Sequence, residues 1–205
     1  MEPGQTYHIF NHANGNENLF VEPDNYRYFL ELYQKHIHPA VDTFAYVLMP
    51  NHFQFLVRVK ETDCLREAFP KFQTLEKLID GKGDKSQLDN FISKQFANFF
   101  SAYTLGFNKH YNRRGSLFMK NFKRKPVVSD EQWRDTFLYI HHNPIKHGFS
   151  KNIESWQWSS WHAYKKMYAK TLIDRNIALS YFDDLENLIY CSEEKVKFIL
   201  SMELE

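Results

Sequence analysis

Leu48-Met-Pro-Asn-His-Phe-Gln-Phe-Leu-Val-Arg58 is the stretch whose reading decides the fold. Pro50 and Asn51 make a tight polar turn between two apolar, strand-like runs, Val41 to Leu48 and His52 to Val59, so the segment reads as a hairpin-like pair. Side chains alternate along a strand, which sends His52 and Gln54 to one face and Phe53 and Phe55 to the other. Two nitrogen or oxygen donors then leave one surface about 7 Å apart along the chain, a gap that a divalent cation can bridge. Taken alone, His-x-Gln also describes a strand with a polar outer face.

A second segment lies nearly ninety residues on: Phe137-Leu-Tyr-Ile-His-His-Asn-Pro-Ile-Lys-His-Gly148. Ser129 followed by Gln132 is a capping box, so a helix is predicted to start near Asp130. Pro144 disfavours helical geometry at Asn143, which predicts that the helix stops there. Trp133, Phe137 and Ile140 form its apolar stripe. Tyr139 and Asn143, spaced i, i+4, share another face. A phenol and an amide side by side suit a nucleophile beside a metal ligand. They equally describe a buried tyrosine and an asparagine C-cap. His141, His142 and His147 read as helix-end surface residues or DNA contacts.

Together, Met49-Pro-Asn-His-Phe-Gln-Phe-Leu-Val57 and Tyr139-Ile-His-His-Asn-Pro-Ile-Lys-His-Gly148 resemble the single-tyrosine HUH transposases, and within them the REP-associated tyrosine transposases. Tyr7-His-Ile-Phe-Asn-His12, Asn112-Arg-Arg-Gly-Ser-Leu-Phe118 and Trp156-Gln-Trp-Ser-Ser-Trp161 follow the family's order, so the resemblance spans roughly residues 5–165. It implies an α+β fold, a ferredoxin-like antiparallel sheet with helices packed on it. It also implies a DNA transposase-like nickase and ligase acting on single-stranded DNA with hairpin structure, as a monomer or homodimer. Tyr139 is the implied catalytic nucleophile, and His52, Gln54 and Asn143 are the implied metal ligands. The chain departs from the pattern at Gln54, where the family has its second metal-binding histidine. A catalytically weakened hairpin-binding protein descended from a transposase is the alternative this departure leaves open. An RNA-binding ferredoxin-like domain with exposed sheet aromatics is a third reading.

The chemistry of these residues is consistent with that implication. A phenol is a recognised covalent nucleophile, and attack on a phosphodiester needs the phosphate charge neutralised. One imidazole nitrogen and two amide oxygens, with no thiolate, suit Mg²⁺ or Mn²⁺ better than a closed zinc site. Glutamine in place of histidine moves the preference further toward hard cations and weakens binding. The implied reaction is transesterification through a 5′-phosphotyrosine intermediate, releasing a free 3′-OH.

The 205 residues fit one domain with a small appendage: residues 1–165 for the transposase-like unit and 166–205 for an acidic, helical tail docked on it. Apolar residues at 43% permit a real core. No run of eighteen apolar residues predicts a membrane span, and Met1-Glu-Pro-Gly-Gln does not open a secretory signal. Cys64 and Cys191 are isolated, as free thiols of a reducing cytoplasm are. The net charge is only +1, but it is unevenly spread. Phe91 to Ser129 holds eight basic residues and no acid, while Asp174 to Glu205 holds eight acids against Arg175, Lys195 and Lys197. Arg113, Arg114, Lys120, Lys123, Arg124 and Lys125, interleaved with Tyr111, Phe118 and Phe122, are the candidate DNA-binding residues.

Elsewhere, Thr6 to Asn11 is a predicted strand, and Asp24 to His36 and Phe91 to His110 are predicted helices. Cys64 to Leu78 is a predicted helix kinked at Pro70, and Asp80 to Ser86 a predicted loop. Ser116 to Val127 is predicted to contain a strand carrying the basic residues. Leu179, Phe182, Leu185, Leu188 and Ile189 are available to dock the tail.

Overall fold

Four strands carry the molecule: β1 (Thr6–His12), β2 (Val41–Met49), β3 (His52–Val59) and β4 (Lys123–Val127). They pair in the order β2-β3-β1-β4, every neighbour antiparallel. The computed structural model describes residues 1–70 and 85–202. Its helices are α1 (Pro23–His36), α2 (Thr62–Ala68), α3 (Lys85–His110), α4 (Asp130–Lys146), α5 (Trp161–Lys165), α6 (Arg175–Ser180) and α7 (Leu185–Met202). The β1-α1-β2-β3-α3-β4 order with this pairing is the ferredoxin-like arrangement, as predicted. No helix among the described residues is long and apolar enough to cross a membrane.

Alternation along the strands builds two cores. Ile9, Phe53, Phe55 and Val57 face α1 and α3, where Phe29, Tyr33, Ile92, Phe96, Phe99 and Tyr103 complete an aromatic layer. Ala45, Val47, Met49 and Leu56 face the other way, against Trp133, Phe137 and Ile140 of α4. Trp161, Tyr164, Ala178, Phe182 and Leu188, from α5, α6 and α7, join that second core. Leu179 and Leu185 pack partly buried at its edge. The register sets His12 opposite His52 and Phe10 opposite Gln54. On the other side of β1, His8 lies opposite Lys125 and Phe10 opposite Lys123. Opposed residues share a face, so His8, Phe10, His12, His52, Gln54, Lys123 and Lys125 all belong to the face that α4 half covers.

Several boundaries differ from the sequence expectation. α3 begins at Lys85 rather than Phe91, extended by Leu88, which is buried in the first core. α2 ends at Ala68, and the predicted continuation to Leu78 lies outside the described residues, as does the predicted loop up to Asp84. α4 starts at Asp130 behind Ser129, whose hydroxyl accepts from the Gln132 amide, as predicted. It does not stop at Asn143. It runs through Pro144 to Lys146 and ends on Gly148, whose φ of +70° suits the left-handed turn after a helix. Proline removes one helical donor, but burial of Asn143, Pro144 and Ile145 against neighbouring elements outweighs that loss.

His141 and His142 are not surface residues. Both are buried, because α4 is packed between the sheet and α7. His141 donates from Nδ1 to the Phe137 carbonyl (3.0 Å) and accepts at Nε2 from the Ser160 hydroxyl (2.7 Å). His142 spans from the Leu138 carbonyl to Ser192 of α7 (3.0 Å). Burial pushes the His141 imidazole down to about 3 from 6.5. The unfolded chain therefore binds the proton more readily. The stability tied to this group is complete above pH 6.5 and is lost as pH falls toward 3. Between pH 7 and pH 5 the loss from His141 should be about 2 kcal/mol. Urea unfolding at the two pH values should show that much less acid sensitivity in His141→Gln than in the parent.

Candidate functional site

Tyr139, Asn143 and His147 fall at i, i+4 and i+8 of one helical face. Tyr139 is 36% exposed and opens onto a cleft of about 600 Å³ also lined by His8, Phe10, His12, His52, Gln54 and Lys125. Asn143 is fully buried one turn further on. The strand pattern delivers His52 to it: the Asn143 amide stands 3.0 Å from His52 Nε2. On the other side of the ring, Asn51 Oδ1 accepts from His52 Nδ1 at 2.8 Å. His12 stacks on His52 with ring centroids 4.6 Å apart, and His147 meets it edge-on at 5.4 Å.

Burial pushes His52 down to about 4, so its ring is neutral near pH 7 and carries one N–H. With Nδ1–H given to Asn51, Nε2 keeps a lone pair. That lone pair faces Asn143 Oδ1 at 3.0 Å with no proton between them, while the buried Asn143 Nδ2 has no hydrogen-bond partner among the described residues. A neutral imidazole nitrogen and an amide oxygen, two electron-pair donors facing each other at 3.0 Å, fit a hard divalent cation. Among the described residues no group of three His, Cys, Asp or Glu is arranged to hold a metal ion. A cation held here would rest on amide oxygen as well as on His52.

Gln54 shares the face, as alternation requires, but its Oε1 accepts from His8 Nε2 at 2.9 Å. His8 in turn meets the Tyr139 ring edge to face, centroids 6.1 Å apart. Burial, and then Lys125 nearby, hold His8 below the ordinary histidine value against the opposing effect of the Gln54 hydrogen bond. Lys146 Nζ lies 5.4 Å over the Tyr139 ring, and Lys125 Nζ 5.7 Å over Phe10. At the mouth of the cleft Lys195 of α7 faces Asp135 at 3.8 Å.

The basic segment divides. Lys123 and Lys125 lie on the cleft face of β4, exposed. Arg124 points the other way, to Asp89 (3.1 Å) and Ser93 of α3. Arg113 is tied to Glu17, to Asn108 and to the carbonyls of Gly115 and Ser116, which makes it a staple of its own loop. Arg114 is exposed, and Lys120 lines a separate open groove of about 1000 Å³ with Phe100, Leu105, Met119 and Phe122.

No protein-family model matches the sequence. A Haemophilus influenzae protein named for the REP-associated tyrosine transposases is 23% identical over 128 residues. That match spans 61% of this chain and 61% of the relative. Among solved structures, a REP-associated tyrosine transposase bound to a REP hairpin superposes with a TM-score of 0.57 at 15% identity, covering 85% of this chain and 90% of that one. The chain resembles the REP-associated tyrosine transposases and shares their fold. The α+β, ferredoxin-like expectation is borne out on both counts.

Within the transposase-like fold, three cleft residues escaped the reading of single motifs: His8, His12 and Lys146. The signal was present in Tyr7-His-Ile-Phe-Asn-His12, where period-two spacing puts His8, Phe10 and His12 on one face. Only the pairing of β1 beside β3 brings that face to His52 and Gln54.

Proposed function

We propose that this chain is a metal-dependent nickase and ligase of single-stranded DNA, cutting beside hairpins through a 5′-phosphotyrosine at Tyr139. One observation carries the reading: Tyr139 and Asn143 lie on one helical face, with the phenol in an open cleft and the amide against a neutral His52. The transposase that shares the fold was solved with a REP hairpin bound, which supports hairpin DNA as the substrate class.

Each residue has a role in this reading. Tyr139 Oη attacks phosphorus, the P–O3′ bond breaks, and the 3′ end leaves as a hydroxyl. Attack by a 3′-OH on the phosphotyrosine reverses the step and rejoins strands without a nucleotide. His52 Nε2 and the Asn143 oxygen would hold Mg²⁺ or Mn²⁺, since Gln54 is engaged by His8. The cation supplies neutralisation of phosphate charge next to the phenol. Lys125 and Lys146 keep positive charge beside the ring, and Lys123 extends it along β4.

Incubation of the full chain with labelled hairpin-flanked single-stranded DNA and Mn²⁺ tests the proposal. The expected product is a protease-sensitive covalent adduct; tight binding without any adduct would favour the hairpin-binding alternative. The divided basic segment gives a further prediction. Lys123→Ala with Lys125→Ala should weaken DNA binding and reduce its salt slope by roughly 1.4, two single-strand phosphate contacts. Arg113→Ala should instead lower stability and leave the slope unchanged. A salt series on both variants reads this directly.

A further inference from the structure

Three side chains from three elements stand in sequence on the cleft floor: Tyr139 on α4, His8 on β1 and Gln54 on β3. Gln54 Oε1 takes the Nε2 side of His8, and the His8 ring abuts the Tyr139 ring. A glutamine oxygen has no proton to give, so His8 is held as the Nε2–H tautomer and its Nδ1 carries the lone pair. Among the described residues no hydrogen bond occupies that Nδ1. Lys146 Nζ, 5.4 Å over the phenol ring, is an ammonium donor without a lone pair. The arrangement has the form of an activated nucleophile: attacking group, neighbouring base, and a third group that orients the base.

We propose that His8 is the general base for Tyr139, and that Gln54 is the positioning residue that fixes its tautomer. This rests on the nickase reading above. During cleavage the Tyr139 O–H bond breaks, its proton passes to His8 Nδ1, and the Tyr139 Oη–P bond forms as P–O3′ breaks. The leaving 3′ oxygen takes a proton from solvent while His8 keeps the phenol's proton; on rejoining the attacking 3′-OH releases its proton to solvent, so the full cycle is proton-neutral. In rejoining, protonated His8 returns its proton to the departing phenolate. The 36% exposed phenol has room to swing the remaining distance, as catalytic contacts in unliganded enzymes commonly tighten only with substrate. The departure from the family at position 54 acquires a purpose: an imidazole lost from one ligand position and an amide gained for His8.

The test measures single-turnover adduct formation with the full chain, hairpin-flanked DNA and Mn²⁺. His8→Ala should slow adduct formation by roughly 10²-fold or more, with Mn²⁺ and DNA affinity unchanged. Added imidazole should restore much of the rate, which a merely structural histidine would not permit. His8→Asn, of closer size, guards against a folding defect, and thermal unfolding of each variant checks it. Gln54→Leu, which removes the accepting oxygen, should slow the reaction by roughly tenfold. ¹⁵N spectra of the parent should show His8 as the Nε2–H tautomer. Parent-like rates in His8→Ala, or a loss that imidazole does not rescue and that travels with Mn²⁺ affinity, would overturn the base assignment. An Nδ1–H tautomer would overturn the role of Gln54. The absence of any adduct in the parent overturns the nickase reading and the relay with it. An adduct abolished by Tyr139→Phe but indifferent to His8 sinks the relay alone.

Discussion

Tyr139→Phe should abolish the covalent adduct while leaving the protein folded and able to bind DNA. The change removes one oxygen from a side chain that is one-third exposed and makes no hydrogen bond among the described residues. The ring contacts with His8 and the Lys146 ammonium survive, because they involve the ring and not the hydroxyl. Unfolding midpoints should therefore shift within about 0.5 kcal/mol, the usual range for a surface change. The chemistry has no substitute here, since among the described residues no other tyrosine lines this cleft. The measurement is denaturing electrophoresis of the protein with labelled DNA, beside a binding titration. Adduct persisting in the variant would place the nucleophile elsewhere.

His52→Ala should have the next largest effect. It removes the imidazole that contacts the Asn143 amide oxygen and leaves the amide buried without that partner. Loss of a group that merely orients a metal ligand costs 10- to 100-fold in affinity, so loss of the ligand itself should weaken Mn²⁺ binding by at least roughly that factor. Adduct formation at fixed Mn²⁺ should fall in step and recover in part when the ion is raised. The pH dependence adds a second signature. A metal ligand must be deprotonated, and burial holds His52 at about 4 rather than 6.5. Mn²⁺ affinity at this residue should thus be flat from pH 8 to pH 6 and fall only as pH approaches 4. Calorimetric titrations across that range measure it. A fall centred near pH 6.5 would mean that an ordinary, exposed histidine binds the ion.

Local pattern made much of this architecture legible. Alternation in His52-Phe53-Gln54-Phe55 assigned both faces of β3, and Ser129 with Gln132 placed the start of α4. What stayed hidden was non-local. Pro144 carries a strong local stop signal, and only packing around Asn143 and Ile145 shows why the helix continues. His141 and His142 read as polar helix-end residues until α7 covers them. Arg113 and Arg124 look like free cations in sequence, because their acids, Glu17 and Asp89, lie far along the chain. Gln54 reads as a metal donor, and only β1 paired beside β3 shows that its oxygen also accepts from His8.

The two halves of the cleft belong to different layers. Tyr139 and Asn143 ride on α4, whereas His8, His52 and Gln54 are anchored in the sheet; His52 and Asn143 stand 91 positions apart in the chain. They meet only because Phe137 and Ile140 seat the helix on Val47, Met49 and Leu56. A helix turns by roughly 100° per residue, so even a small roll of that seat carries the phenol away from its partners. In the proposed reaction, activity would thereby be a gauge of interlayer docking. On gentle heating, activity should vanish along with the near-ultraviolet signature of Trp133 and Trp161, which report the second core, even while the sheet and its aromatic layer with α1 and α3 remain intact.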